Sequence, residues 1–233
     1  MVQSAVCLVS GGIDSCVTAF VAKSEGNNIY ALSFNYGQRH KKEIECAKDV
    51  AFAVKAKEHI IFDLDLYRFG ESSLIDVSSD IPKNYNLQNI GKTIPSTYVP
   101  ARNTIFLSIA LAYAEAIDAD AIFIGATAQD YSGYPDCRPE YITAYQKMAD
   151  LATKIGVEGR SIKIEAPLLY FTKAEIIKRG LKMHAPFEKT WSCYQGGRKA
   201  CGKCDSCLLR LKGFKESGYR DPIDYKSLPN WYK

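Results

Sequence analysis

The chain has 233 residues, 47% hydrophobic and 24% charged, with a formal net charge of +4. This is enough for one α/β domain with its own core, or one domain with a small appendage. No apolar run is long enough to span a bilayer, and the start MVQSAVCLVSGG lacks a basic leader and cleavage site, so the expected setting is cytoplasmic.

The predicted elements begin with a strand over Ala5–Val9, ended by Ser10-Gly11-Gly12. A helix from Asp14 to Lys23 follows, then a strand over Ile29–Phe34. Residues 38–55 read as helix, because Ile44, Ala47, Val50, Ala51 and Val54 recur at the helical period. His59–Phe62 reads as a third strand. Strand and helix alternate, which implies parallel pairing through right-handed crossovers. Over 64–100 the pattern fails, and a stretch of that length suggests a lid, a dimer contact or simple disorder.

Order returns with NTIFLSIALAYAEAI from Asn103, apolar on nearly every face and so expected to be buried on most sides. Ala121–Ile124 is the fourth strand, Tyr141–Ile155 an amphipathic helix and Ser161–Ile164 a fifth strand. Thr172-Lys173-Ala174-Glu175 is a capping box that opens a short helix. Cys207–Glu216 is the last helix. The division expected is 1–185 for the α/β domain and 186–233 for a cysteine-bearing segment packed with it as one unit.

Charge is uneven. Residues 170–233 hold 14 Lys/Arg against 6 Asp/Glu, whereas residues 1–169 hold 16 against 20. A basic end meets nucleic acid, an anionic substrate or only solvent.

Of the eight cysteines, Cys7, Cys16, Cys46 and Cys137 are scattered. Cys193, Cys201, Cys204 and Cys207 fall within 15 residues, in CYQGGRKACGKCDSC. Clustering of this kind indicates metal rather than disulfides in a reduced compartment. C-x₂-C-x₂-C with one upstream Cys supplies four thiolates on short turns, which suits tetrahedral Zn²⁺ in a structural role. An iron–sulfur cluster can use similar spacing, but the Cys-Pro that often follows its last ligand is missing.

The turn VSGGIDS at 9–15 lies where a strand passes into a helix. In a doubly wound sheet, ligands sit at the carboxyl ends of strands, and the N–H groups of the next helix favour an anion. Neither G-x-x-x-x-G-K-[ST] nor G-x-G-x-x-G occurs in the chain, which excludes the Walker and dinucleotide loops. Asp14 is read either as an acid suited to the first helical turn or as a group orienting the loop or a Mg²⁺ ion.

S-G-G-x-D-S resembles the PP-loop of the ATP pyrophosphatases. Three further strings sharpen the resemblance: YVPARN at 98–103, GATAQDYSGYPDCRPEY at 125–141, and WSCYQGG with CGKCDSCLLR at 191–210. Together they are similar to the 7-cyano-7-deazaguanine synthases of queuosine biosynthesis. The resemblance implies an adenine nucleotide α-hydrolase-like (Rossmann-like) parallel sheet flanked by helices, a small C-terminal zinc-binding segment and a homodimer. It implies a ligase that uses Mg-ATP to adenylate 7-carboxy-7-deazaguanine, takes ammonia to the amide, and adenylates the amide to reach the nitrile. ATP would be held by Leu8, Val9, Ser10, Gly11, Gly12, Ile13, Asp14, Ser15, Cys16, Val17 and Thr18. Asp14, Lys173 and Arg102 would act in catalysis, and Tyr131, Tyr134, Asp136 and Arg210 would contact substrate.

Physical chemistry supports parts of this list. Tyr131 and Tyr134 suit stacking on a flat heterocycle. Asp136 is an acceptor for a guanine-like N–H edge, though Tyr-Pro-Asp is also an ordinary turn. Arg102 suits a phosphate or carboxylate fork, Asn103 suits a helix cap, and Lys173 is a cation in a first helical turn, where only an anion repays it. His40, in YGQRHKKE, is a candidate for nucleotide contact. Two other readings stay open from sequence: a PP-loop tRNA-thiolating or lysidine-type enzyme, and a non-catalytic zinc-binding regulator.

Overall fold

The computed structural model describes residues 2–38, 41–69, 72–74, 94–128 and 134–232. Strands β1 (Ser4–Leu8), β2 (Asn28–Asn35), β3 (Glu58–Asp63), β4 (Ala121–Phe123) and β5 (Lys163–Glu165) form one sheet in the order β3-β2-β1-β4-β5. Every pairing in it is parallel. The helices are α1 (Ile13–Ser24), α2 (Lys42–Ala53), α3 (Arg102–Ala116), α4 (Pro139–Ala152), α5 (Lys154–Val157), α6 (Lys173–Lys182) and α7 (Asp205–Ser217).

Alternation along the strands makes two cores. Val6 and Leu8 of β1 join Leu32 and Phe34 of β2 on one face, under Leu107 and Ala110 of α3 and Tyr145 of α4. Ala5 and Cys7 join Ile29 and Ala31 on the other, under Val17 of α1, Val50 of α2, Ile176 of α6 and Phe214 of α7. A strand buried on both faces reads as a continuous apolar run, which is why AVCLV carries no alternation. Among the described residues, no helix is long and apolar enough to cross a membrane.

Several expectations needed correction. Helix α3 is not buried on most sides: Leu107, Ala110, Leu111 and Ala114 face the sheet, whereas Ser108 and Ala112 are exposed. It lies over one face of the sheet, so only one stripe reaches the core. The helix predicted over Tyr141–Ile155 breaks at Thr153, whose extended backbone and hydroxyl cap α5 by accepting from Gly156 N. Asn103 does not cap α3. Ala101, left-handed at φ 51°, is the capping position. The Asn103 amide instead donates to Asp136 Oδ2 at 2.9 Å, so Asp136 satisfies one of the open first-turn N–H groups from a distant loop. The capping box on α6 forms as predicted, with Thr172 and Glu175 each bonding the other's backbone N–H. Tyr131, His40 and most of the 64–95 stretch lie outside the described residues.

Candidate active site and metal centre

The strand order reverses between β1 and β4, so a crevice opens at their carboxyl ends. A cleft of about 270 Å³ lies there, lined by Leu8, Val9, Ser10, Gly12, Ile13, Asp14 and Ser15. Gly11 sits beneath them. Its φ is +82°, and a Cβ there would overlap the Glu43 backbone oxygen of α2 and lie 2.8 Å from Ala47 N. Only glycine meets both demands. Gly125, at the end of β4, lets α1 approach: a Cβ there would lie 2.9 Å from Ser15 N. Ser15 Oγ accepts from the Ser10 amide at 3.1 Å and donates to the Gly12 carbonyl at 3.2 Å. The loop is thereby fixed to the first turn of α1, whose open N–H groups make an anion site. Cys16, Val17 and Thr18 do not line the cleft; they are buried within α1 and seat it on the sheet.

Asp14 and Lys173 meet at the cleft floor. Lys173 Nζ lies 2.6 Å and 2.8 Å from the two Asp14 oxygens. Their side chains are 30% and 11% exposed. Gly213 of α7 makes room for the lysine stem, since a Cβ there would overlap Lys173 Cγ. Opposite, Arg102 opens α3 and donates from Nη1 to the Tyr36 hydroxyl at 3.3 Å. Phe34 and Phe106 stack at 4.0 Å beside Tyr36, and Tyr134 bonds Thr97 through its hydroxyl at 2.9 Å. These four rings line one part of the cleft.

Two predicted substrate contacts are otherwise engaged. Asp136 is buried, caps α3 and is not part of the cleft lining. Arg210 is 1% exposed. Its Nε and Nη2 grip both oxygens of Asp221 at 2.7 and 2.9 Å, Nη1 donates to Thr190 and Ser192, and Nη2 also reaches the Phe187 carbonyl. Every guanidinium N–H direction is used, so Arg210 ties the C-terminal segment together while also lining the cleft. Cys137 lines the cleft, but burial first, then the negative charge of Asp136, push its thiol up to about 12.

Sequence reasoning overlooked much of the lining, three members of which matter most. Glu43 sits in the first turn of α2, and burial pushes its carboxyl up to about 7, with Arg102 pulling it down and Cys193 pushing it further up. Tyr36 carries the Arg102 contact. Trp191 lies in WSCYQGG, yet nothing local announces its partners: its amide donates to the Gly11 carbonyl at 2.9 Å and its indole N–H to the Cys193 carbonyl at 2.8 Å.

Beyond Trp191 the Sγ atoms of Cys193, Cys201, Cys204 and Cys207 lie within 4.8 Å of one another, all buried. Cys201 and Cys207 Sγ are 3.9 Å apart. A tetrahedron with bonds of about 2.3 Å has edges of about 3.8 Å, so the donor set fits a Zn²⁺-sized ion. Backbone amides of Gln195 and Cys201 point at Cys193 Sγ, and those of Lys203 and Cys204 at Cys201 Sγ, at 3.3–3.4 Å. Such donors stabilise thiolates.

The family described as "Queuosine biosynthesis protein QueC" matches residues 4–218. A 7-cyano-7-deazaguanine synthase of Picrophilus torridus is 55% identical over 98% of this chain and 94% of its own. That of Thermoplasma acidophilum is 53% identical over 99% of this chain and 95% of its own. Among solved structures, an NMN synthetase from Francisella tularensis aligns over 94% of this chain and 79% of that one, at 18% identity and a TM-score of 0.47. With a match that runs through both the glycine loop and the four cysteines, the chain belongs to the QueC family of queuosine-biosynthesis proteins.

Proposed function

We propose that this chain converts 7-carboxy-7-deazaguanine and ammonia to 7-cyano-7-deazaguanine at the expense of ATP, through adenylated carboxylate and amide intermediates. The observation that carries the reading is the S-G-G-I-D-S loop on the switch-point cleft, in a chain whose relatives bear that activity in their names. Ser10, Gly12, Ser15 and the α1 N-terminus hold the phosphate chain of Mg-ATP. Lys173, oriented by Asp14, and Arg102 offset the negative charge that gathers as pyrophosphate departs. Among Phe34, Tyr36, Phe106 and Tyr134, the cleft takes the flat ring of the substrate by aromatic contact.

Cys193, Cys201, Cys204 and Cys207 hold one structural Zn²⁺, which cross-links a segment with little core of its own; four thiolates leave no position for substrate. We divide the chain at 185/186, with α7 packed on α6 so that both parts act as one unit. A homodimer is proposed too. An apolar groove along edge strand β3, lined by Ile60, Phe62, Ile109, Ala112 and Tyr113, supports it, and sedimentation equilibrium tests it.

The deciding experiment incubates purified protein with Mg-ATP, ammonium and the carboxy-deazaguanine. Pyrophosphate release together with a product of nitrile mass is expected; no pyrophosphate, or release without nitrile, would sink the reading. Calorimetry with unmodified tRNA separates the rival tRNA-modifying reading, which requires tight binding there and none of the free acid.

A further inference from the structure

The reaction proposed above has a proton requirement. Ammonium brings a fully protonated nitrogen and the nitrile leaves with that nitrogen bare, so its protons need an acceptor in the cleft. Among the described residues, the carboxylates lining the cleft are Asp14 and Glu43. Both oxygens of Asp14 are held by Lys173. The Cys137 thiol is pushed up to about 12, out of range for a base at neutral pH. Glu43 has neither a hydrogen bond nor an ion pair with any described residue, and it stands at the cleft half-buried.

Position agrees with chemistry. The first turn of α2 is packed so closely on the loop that the Glu43 backbone oxygen occupies the space a Gly11 side chain would need. In an acyl or imidoyl adenylate the reacting carbon is joined to the α-phosphorus through a single oxygen. A carboxylate that lines the same cleft as this loop therefore shares the space in which the reacting carbon and its nitrogen are held.

We propose that Glu43 is the general base that takes protons from the substrate nitrogen as the nitrile forms. The adenylated amide carries a protonated imino nitrogen. The Glu43 carboxylate removes one N–H proton and leaves that electron pair on nitrogen. The pair then forms the last C–N bond while the C–O bond to AMP breaks, its electrons leaving on the phosphate oxygen. The remaining N–H proton, strongly acidic on the nitrilium, passes to the departing AMP or to water. Nothing is oxidised or reduced. Glu43 lines the cleft half-buried, with its carboxylate uncommitted among the described residues, so it is placed to take that proton.

The inference rests on the proposed reaction, and the test separates the two. Glu43→Gln and Glu43→Asp are compared with wild type in single turnovers with Mg-ATP, ammonium and the carboxy-deazaguanine, resolving amide from nitrile by mass. Glu43→Gln should keep its ATP affinity within about 2-fold and still release pyrophosphate, while nitrile formation falls about 100-fold and amide accumulates. Glu43→Asp, which keeps a base, should retain nitrile formation within about 10-fold of wild type. Nitrile formation by Glu43→Gln within about 3-fold of wild type overturns the role. Equal loss of ATP binding in both variants also overturns it, making Glu43 a packing residue. A wild type that makes no amide or nitrile sinks both the role and the reaction.

Discussion

Lys173 and Asp14 are 159 residues apart in sequence, and the lysine ammonium bonds both oxygens of the carboxylate. Sequence reading gave each a separate errand, phosphate for one and loop or Mg²⁺ for the other. The structure joins them into one ion pair that holds the ammonium at the first turn of α1, next to the loop. Lys173→Ala should lower kcat/KM for ATP about 10²-fold, as loss of a single preorganised donor does. Asp14→Asn should cost nearly as much, and the double variant little more than either single. Steady-state kinetics on the three variants checks this; additive losses would show the two residues act independently.

The loop glycines should respond in opposite ways. Gly11 is left-handed and packed against α2, so Gly11→Ala combines about 1–2 kcal/mol of backbone strain with a direct overlap on Glu43. It should abolish ATP binding by displacing the loop. Gly12 has an ordinary φ of −83°, and a Cβ there meets nothing nearer than Ser10 Oγ at 3.6 Å. Gly12→Ala should fold normally and bind ATP only modestly less well, whereas Gly12→Arg should fill the cleft and block ATP with metal retained. Thermal melts and ATP calorimetry on the three variants decide it.

What was legible in sequence was local or chemically loud. The glycine turn, the four cysteines and the Thr172–Glu175 box each declare themselves within a few residues. Apolar periods located the five strands and most helices, because burial on a strand or helix face writes a period into the chain. The missing parts depend on distant partners. Glu43 lies in KKEIECAKD, an unremarkable charged helix start, and gains meaning only because β1 and α2 bring it under Gly11. The grip of Arg210 on Asp221 and Thr190 was not legible because those partners lie 11 and 20 residues away. The cap that Asp136 places on α3 was not legible because it spans 33 residues.

Arg210 and Asp221 give a test of stability rather than rate. Both side chains are 1% exposed and joined by a bidentate pair. Removing one member leaves the other charged and buried, at a cost of about 3–5 kcal/mol. Asp221→Ala should therefore lower Tm by roughly 6–20 °C, given about 2–4 °C per kcal/mol in a domain of this size. Arg210→Lys should also destabilise, because an ammonium cannot reproduce the fork. Scanning calorimetry reads both. If Asp221→Ala melted like wild type but raised KM for the carboxy-deazaguanine, Arg210 would be a substrate ligand after all.

The metal centre and the nucleotide loop share Trp191. Its amide holds the Gly11 carbonyl, its indole holds the Cys193 carbonyl, and Lys42 of α2 sits 4.6 Å above its ring. Cys46 of α2 packs in the same cluster as the four thiols. Structural zinc contributes roughly 10–16 kcal/mol in small peptides, so losing it should release the segment around Trp191 and with it one wall of the loop. Cys201→Ser, or chelation of the wild type, should abolish metal binding, about one ion per chain, and weaken ATP binding about 10-fold or more. The tryptophan itself reports the change: Trp191 is 4% exposed, and in a Trp231→Phe background its emission should shift red as the segment opens. Metal removal that shifts the emission yet leaves ATP affinity unaltered would show that the loop stands without this link.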